Sequence, residues 1–238
     1  MSTDAAMPRE WSLFGIPARA VALFLRSREG WQPPVGLVLA ATLATLFARR
    51  YDDQPFAQAT ALVLAPLLMA CLIGACAGSP FGEPERTAAL PLPALRLGHL
   101  VGLVVLAAGC LLVANAAFTW FEPPVEEITV WVATSELEVA QALGRNLLAF
   151  TGVALLGARL LGAGLAWVGP LGYGLLSLVV LMLARTNEAG EPIVPGWAVP
   201  VLPGADDTAT LAAAGLLLIG LASVARSGAS DARGDETS

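Results

Sequence analysis

The chain has 238 residues, of which 56% are hydrophobic and 13% are charged. An average soluble domain is about 25% charged, so this composition predicts a protein that is solvated mainly by lipid. A membrane-crossing helix needs about 20 mostly apolar residues, and the length therefore accommodates about six crossings with little room for a soluble domain. We predict an all-α polytopic membrane protein, and any large catalytic domain that works with it belongs to another chain.

The basic residues exclude several kinds of chemistry. All 13 are arginine, and the chain contains no lysine. A P-loop needs a lysine to reach the β- and γ-phosphates, and Schiff-base chemistry needs a lysine amine, so neither is expected. The single His99 excludes multi-histidine metal sites, and the net charge of -6 offers no basic face to nucleic acid. We predict no catalytic residue, metal or cofactor, and no nucleic-acid partner.

Residues 1–34 predict a cytoplasmic N-terminal segment. Between Trp11 and Gly30, aromatic and aliphatic residues are interspersed with arginines, and Pro17 marks a plausible break. This pattern is typical of short amphipathic helices that lie in the membrane interface and contact lipid; a disordered basic tail is the alternative. Charged residues interrupt the apolar run, so we expect the segment to stay attached rather than to be cleaved as a signal peptide.

Residues 35–225 predict a six-span transmembrane domain, with spans near residues 35–50, 56–78, 97–119, 146–164, 170–185 and 208–225. Pro33 and Pro34 suit the start of the first span, because proline is tolerated at the first helical position. Ser135 followed by Glu138 is a capping-box signature, which predicts a helix that begins near Glu136 and continues into the fourth span.

Three further segments are predicted between and after the later spans. Gly169 and Pro170 indicate a tight turn between spans four and five. Residues 186–207 are rich in Pro, Gly, Trp and acids, and predict a structured outer loop or a re-entrant element. Residues 226–238 are small and polar, so we expect a disordered cytoplasmic tail.

The arginines predict the orientation in the cell membrane. With six spans and a cytoplasmic N-terminus, nine arginines fall on the cytoplasmic side and four on the outer side, the four being Arg49, Arg50, Arg145 and Arg185. The positive-inside rule favours this arrangement. Both termini are therefore expected to face the cytoplasm.

The cytoplasmic connector between spans two and three, residues 79–97, is the most informative stretch. Its polar residues come first and its leucines follow: Glu83, Glu85 and Arg86, then Leu90, Leu92 and Leu95, with Arg96 at the membrane surface. This order predicts a short amphipathic helix held between two spans, so force applied to it would move both. The alternative is a solvated loop whose charges only anchor the spans.

The connector resembles a segment of the membrane subunits of ABC-2 type ATP-binding-cassette exporters, particularly the short six-span permeases of actinobacteria. That family has a Glu, a Thr, a Leu-Pro pair and a Gly before span three, matched here by Glu85, Thr87, Leu90, Pro91 and Gly98. The predicted N-terminal amphipathic helix and the element at 186–207 also match the family's architecture. Pro80 and Pro84 depart from the pattern and affect the length of the connector helix.

The resemblance implies a permease that dimerises with a second copy or with a paralogous permease, and that binds an ATPase subunit which holds the ATP. Residues 79–97 would then be the coupling helix, and the implied ATPase contacts are Phe81, Glu83, Glu85, Arg86, Leu90, Leu92, Leu95 and Arg96. The chain itself would not be an enzyme.

Few polar residues lie inside the predicted spans. Asn115, Asn146 and Thr151 are candidates for a translocation path, because polar side chains are costly in lipid and tend to face a bundle interior. Asn115 could equally form an interhelical hydrogen bond. A translocation path lined by so few polar residues favours a hydrophobic, amphipathic or peptidic cargo. Two alternatives stay open, a non-transporting immunity or scaffold subunit and, less favoured, a membrane-embedded lipid enzyme.

Overall fold

The computed structural model describes residues 32–50, 55–78, 92–121, 135–187 and 192–227. These ranges contain six α-helices: α1 Gln32–Arg50, α2 Pro55–Ala75, α3 Leu92–Phe121, α4 Glu136–Leu161, α5 Val168–Leu183 and α6 Asp207–Ser227. Two short 3-10 helices, Ala163–Leu165 and Val199–Val201, lie in the connections. The all-α fold class is therefore confirmed for the described part of the chain.

Four helical segments are long and apolar enough to cross a membrane: Ala94–Ala117, Leu137–Leu161, Ala163–Leu183 and Asp207–Ala225. They correspond to the third to sixth predicted spans. The apolar parts of α1 and α2, Gln32–Phe47 and Thr60–Ala75, are shorter. Length and composition thus support four crossings in the described ranges, and the count of six stays a prediction.

The start of α4 agrees with the capping-box prediction. Ser135 has extended backbone angles, and its side-chain oxygen accepts a hydrogen bond from the backbone N–H of Glu138 at 3.3 Å. The first turn of a helix has N–H groups without intrahelical partners, and the serine hydroxyl satisfies one of them. The helix begins at Glu136, as predicted.

The predicted turn at Gly169 and Pro170 is wrong by several residues. α4 ends at Leu161 and is followed by Gly162, whose φ of 90° lies in the region that favours glycine, and a 3-10 helix then leads into α5. Gly169 and Pro170 lie in the first turn of α5. Proline is tolerated there because the N–H that it lacks would have no intrahelical partner.

α4 is the central helix of the bundle. Its most extensive contacts are with α6 and α2, and it also contacts α3 and α5. Gly152 of α4 lies so close to α6 that a methyl group added to it would collide with the backbone carbonyl carbon of Leu216. Gly220 of α6 is also confined, because a methyl group added to it would lie 2.8 Å from the carbonyl oxygen of Gly152. Small residues here allow the two backbones to approach closely.

Several predictions fall outside the described residues: the N-terminal interfacial helix, connector residues 79–91 and the tail beyond residue 227. The end of the connector is described and differs from the prediction. α3 begins at Leu92, ahead of the expected start at residue 97. Pro93 is compatible with this start, because it occupies the first turn.

Candidate functional site

The three predicted path residues occupy different surroundings. Asn146 and Thr151 are completely buried on α4, whereas Asn115 is half-buried on α3. Within the described ranges, the Thr151 Oγ1 atom has no hydrogen-bond partner. The structure therefore brings two of the three residues into the interior of the central helix.

Asn146 connects three parts of the bundle. Its side-chain Nδ2 donates hydrogen bonds to the carbonyl oxygen of Leu62 on α2 at 3.1 Å and to that of Pro200 at 3.0 Å. Both acceptors belong to the backbone. A buried amide costs free energy unless it is hydrogen-bonded, so these contacts account for the presence of Asn146 in an apolar interior.

Arg145 is the functional candidate that sequence reasoning missed. Its side chain is only 2% exposed, and its Nη2 donates to the carbonyl oxygen of Leu202 at 2.7 Å. Its Nη1 donates to the carbonyl oxygen of Pro203, and its Nε donates to Oδ1 of Asn146 at 3.3 Å. All three acceptors are neutral oxygen atoms. The guanidinium is therefore enclosed by the chain's own polar groups.

The sequence predicts Arg145 among the outer arginines, at the edge of the fourth span. The structure instead places it within the candidate crossing segment Leu137–Leu161. The sequence signal was an arginine and an asparagine inside the otherwise apolar run 142–150. An ionisable residue in such a run marks a functional-site hypothesis, because it is expensive in lipid.

The carbonyl oxygens of Leu202 and Pro203, which accept from Arg145, and that of Pro200, which accepts from Asn146, lie in one segment, which we call the α5–α6 loop, residues 192–206. Its Ala198, Val199, Val201 and Leu202 are buried. The Tyr173 hydroxyl of α5 donates to the carbonyl oxygen of Trp197 at 2.7 Å. The described part of this region is therefore packed against the bundle, and its position as an outer or re-entrant element stays a prediction.

The loop meets the beginning of α4 at Gly204. A methyl group added to this glycine would collide with the carbonyl oxygen of Glu138, in the first turn of α4. At its other contacts the loop reaches Arg145 and Asn146, about two turns further along the same helix. The loop therefore runs along α4 into the depth of the candidate crossing segment.

Asp206 ends the loop and caps α6. Its Oδ1 accepts hydrogen bonds from the Thr208 hydroxyl at 2.6 Å and from the backbone N–H of Ala209 at 3.0 Å. These bonds, foremost that from Thr208, hold the pKa of the Asp206 carboxyl below its ordinary value. The positive charge of Arg145 adds to the shift. Asp206 is thus the acidic group that Arg145 affects electrostatically.

Of the eight predicted ATPase contacts, the structure describes the side chains of two. Leu95 is 7% exposed and Arg96 is half-buried, both near the start of α3. Leu92 is the first residue of α3. The remaining five, Phe81, Glu83, Glu85, Arg86 and Leu90, lie outside the described residues.

An apolar groove of about 740 Å³ lies between α1 and α3. Aliphatic side chains of both helices line it, together with Thr42 and Thr45 of α1. Each threonine hydroxyl donates to a carbonyl oxygen of its own helix, Val38 or Ala41, at 2.9 Å. The groove therefore offers an almost entirely apolar surface.

Together these features define an all-helical protein whose apolar helices fit a membrane environment and whose central helix encloses an arginine and an asparagine. Among the described residues, no three His, Cys, Asp or Glu side chains are placed to hold a metal ion. Comparison with models of known protein families, with curated proteins and with solved structures finds no match to this chain.

Proposed function

We propose that this chain is the membrane-spanning permease subunit of an ABC exporter, and that a separate subunit hydrolyses the ATP. The permease would dimerise with a second copy or a paralogous permease in the cell membrane. α1 and α2 would complete six crossings, with both termini cytoplasmic. Residues 79–91 would then face the cytoplasm and present Glu83, Glu85 and Arg86 to the ATPase.

The observation that carries this proposal is the continuity of α3. The helix begins at Leu92, inside the predicted connector, and has 30 residues without a break. At about 1.5 Å per residue it is roughly 45 Å long, which exceeds the roughly 30 Å hydrocarbon thickness of a bilayer. A displacement of the connector would therefore pass directly into a rigid crossing helix.

The apolar surfaces support a hydrophobic or amphipathic cargo, such as a drug-like, peptidic or lipid-like compound. The groove between α1 and α3 has only two hydroxyl groups on its surface, and both are engaged within α1. A sugar or an ion needs several polar partners at its binding site, whereas an apolar compound does not.

Co-purification tests the proposal. The tagged chain, gently extracted from its native membrane, should bring down an ATPase with a Walker motif. The Glu83→Ala, Glu85→Ala double variant should reduce recovery of this ATPase at least tenfold. Asp207→Ala, which removes an acid from the first turn of α6, is the matched control and should leave recovery unchanged. Absence of any ATPase from the unaltered complex would reject the proposal.

A non-transporting immunity or scaffold subunit is the second candidate. It is favoured by the enclosure of Arg145 and Asn146, whose hydrogen-bonding groups are used within the chain. Reconstitution of the permease with its ATPase separates the two. ATP-dependent movement of a fluorescent amphipathic compound supports the exporter, whereas an ATPase that binds but moves no compound supports the scaffold.

A further inference from the structure

The α5–α6 loop is attached to the bundle by hydrogen bonds to its main chain and by the buried side chains of Ala198, Val199, Val201 and Leu202. Arg145, Asn146 and Tyr173 donate hydrogen bonds to the carbonyl oxygens of Leu202, Pro203, Pro200 and Trp197. Three bundle side chains thus hold the stretch from Trp197 to Pro203. Arg145 supplies two of these bonds and is the only one of the three that carries a charge.

We propose that the α5–α6 loop is a strap that opens as a unit, and that Arg145 is the positioning residue that holds it closed against α4. This inference goes beyond the proposed function, because it applies equally to a transporter and to a scaffold subunit.

The composition of the loop favours movement as one unit. Pro195, Pro200 and Pro203 each have a restricted φ angle and lack an N–H donor. The hydrogen bonds that close the 3-10 turn, from Val201 to Ala198 and from Leu202 to Val199, lie within the loop itself. Opening would keep these internal bonds and break those to Arg145, Asn146 and Tyr173.

The charge of Arg145 reduces the difference in free energy between the closed and open states. In the closed state the guanidinium has lost its water, and its three hydrogen bonds go to neutral oxygen atoms. Desolvation of a charge is costly unless an opposite charge compensates for it, and Asp206, which acts on Arg145 without a direct hydrogen bond, compensates only in part. An opening that admits water to Arg145 would rehydrate the guanidinium, and this gain would offset part of the loss of apolar contacts by Val199 and Val201.

Release of the strap would uncover an apolar surface. Ala198 and Val201 belong to a buried cluster with Val63 and Leu67 of α2 and Phe150 of α4. If the chain is a permease, this surface is placed to receive an apolar compound when the strap opens. Only this binding of a compound rests on the proposed function.

Cysteine accessibility tests the strap in purified protein that is exposed to reagent on all sides. Cys71, Cys76 and Cys110 are first replaced by alanine. A single cysteine at Val199, which is 4% exposed, reports on the strap, and one at Trp197, which is 49% exposed, is the accessible reference. A hydrophilic maleimide should label Val199→Cys at least tenfold more slowly than Trp197→Cys.

Arg145→Gln should raise the labelling rate of Val199→Cys at least tenfold and leave that of Trp197→Cys unchanged. Arg185→Gln, at an exposed position just after α5, is the matched control and should have no effect. A cysteine at Met69, which is fully buried on α2, reports whether the rest of the bundle stays folded and should stay unlabelled.

Arg145→Lys keeps the charge but not the branched arrangement of donors, so it should give a labelling rate of Val199→Cys between those of the parent and Arg145→Gln. If Arg145→Gln also exposes Met69→Cys, the test is made with Arg145→Lys instead. Faster labelling of Val199→Cys with Met69→Cys still protected supports the strap. Three results would overturn the proposal. The first is that Val199→Cys is labelled as fast as Trp197→Cys when Arg145 is intact, and the second is that neither Arg145 variant raises the labelling rate of Val199→Cys. The third is that both Arg145 variants expose Val199→Cys and Met69→Cys together.

Discussion

The central helix α4 and the peripheral helix α3 show opposite relations between polarity and burial. In its most apolar stretch α4 is 61% buried, compared with 28% for α3, yet α4 is the less apolar of the two. α4 carries Arg145, Asn146 and Thr151 inward, whereas α3 exposes valines and leucines. In water the more apolar helix would be expected inside. Here the order is reversed, because lipid solvates apolar side chains and the protein interior provides hydrogen bonds for polar ones.

The largest effect on the free energy of unfolding is expected from truncating a buried leucine, and truncation of an exposed leucine is the comparison. Leu147→Ala on α4 removes a side chain that is 1% exposed, and the cavity should lower the free energy of unfolding by about 2–5 kcal/mol. Leu112→Ala on α3, at 54% exposure, should change it by less than about 0.5 kcal/mol. Thermal unfolding in one detergent measures both. Equal losses would contradict the assignment of α4 as the interior helix.

Glycine substitutions sharpen the same contrast. Gly152→Ala should destabilise the protein by about 1–3 kcal/mol, because the new methyl group would meet the α6 backbone, which cannot move aside as a side chain can. Gly102→Ala on α3 is the control, since among the described residues no atom lies within 4 Å of its added methyl group. Its stability should be unchanged or slightly raised. A neutral Gly152→Ala would mean that α4 and α6 are further apart.

Asp206→Ala should cost about 1 kcal/mol through loss of the α6 cap. The Asp206 pKa is lower in the folded than in the unfolded chain, so its stabilisation is complete above the unfolded-state pKa and disappears as pH falls through the folded-state value. The difference between Asp206→Ala and the parent should therefore shrink on acidification. Melting temperatures of the two proteins at neutral and acidic pH measure this difference in stability, and Asp207→Ala is the neighbouring control. A difference that does not change with pH would contradict the capping role of the Asp206 carboxylate.

The smallest effects are expected from two threonine-to-valine changes. Thr151→Val on α4 removes a buried hydroxyl that has no hydrogen-bond partner among the described residues, and should stabilise the protein by about 0.5 kcal/mol. Thr42→Val in the α1–α3 groove removes an exposed bond to the Val38 carbonyl and should cost less than about 0.5 kcal/mol. A loss of transport in Thr151→Val without a loss of stability would instead assign Thr151 to the cargo path.

Local sequence signals predicted the helices themselves. The capping box at Ser135 located the start of α4, and the apolar runs located α5 and α6 to within two residues. The turn after α4 was misplaced because both Gly162 and the Gly169–Pro170 pair are turn signals in sequence. Only the backbone conformation distinguishes a glycine at φ 90° from a proline in a first helical turn.

What the sequence determined by itself is the class of protein: an apolar, lysine-free, all-helical chain that suits a membrane, because composition and run length directly reflect transfer to lipid. What only the tertiary structure decided is the environment of Arg145, which the sequence predicts at the outer end of a span. Two of its three hydrogen-bond partners, the carbonyl oxygens of Leu202 and Pro203, lie more than fifty residues away. Neither carbonyl can be recognised from its residue type, because every residue has one, and only the folded chain determines which carbonyls meet the guanidinium.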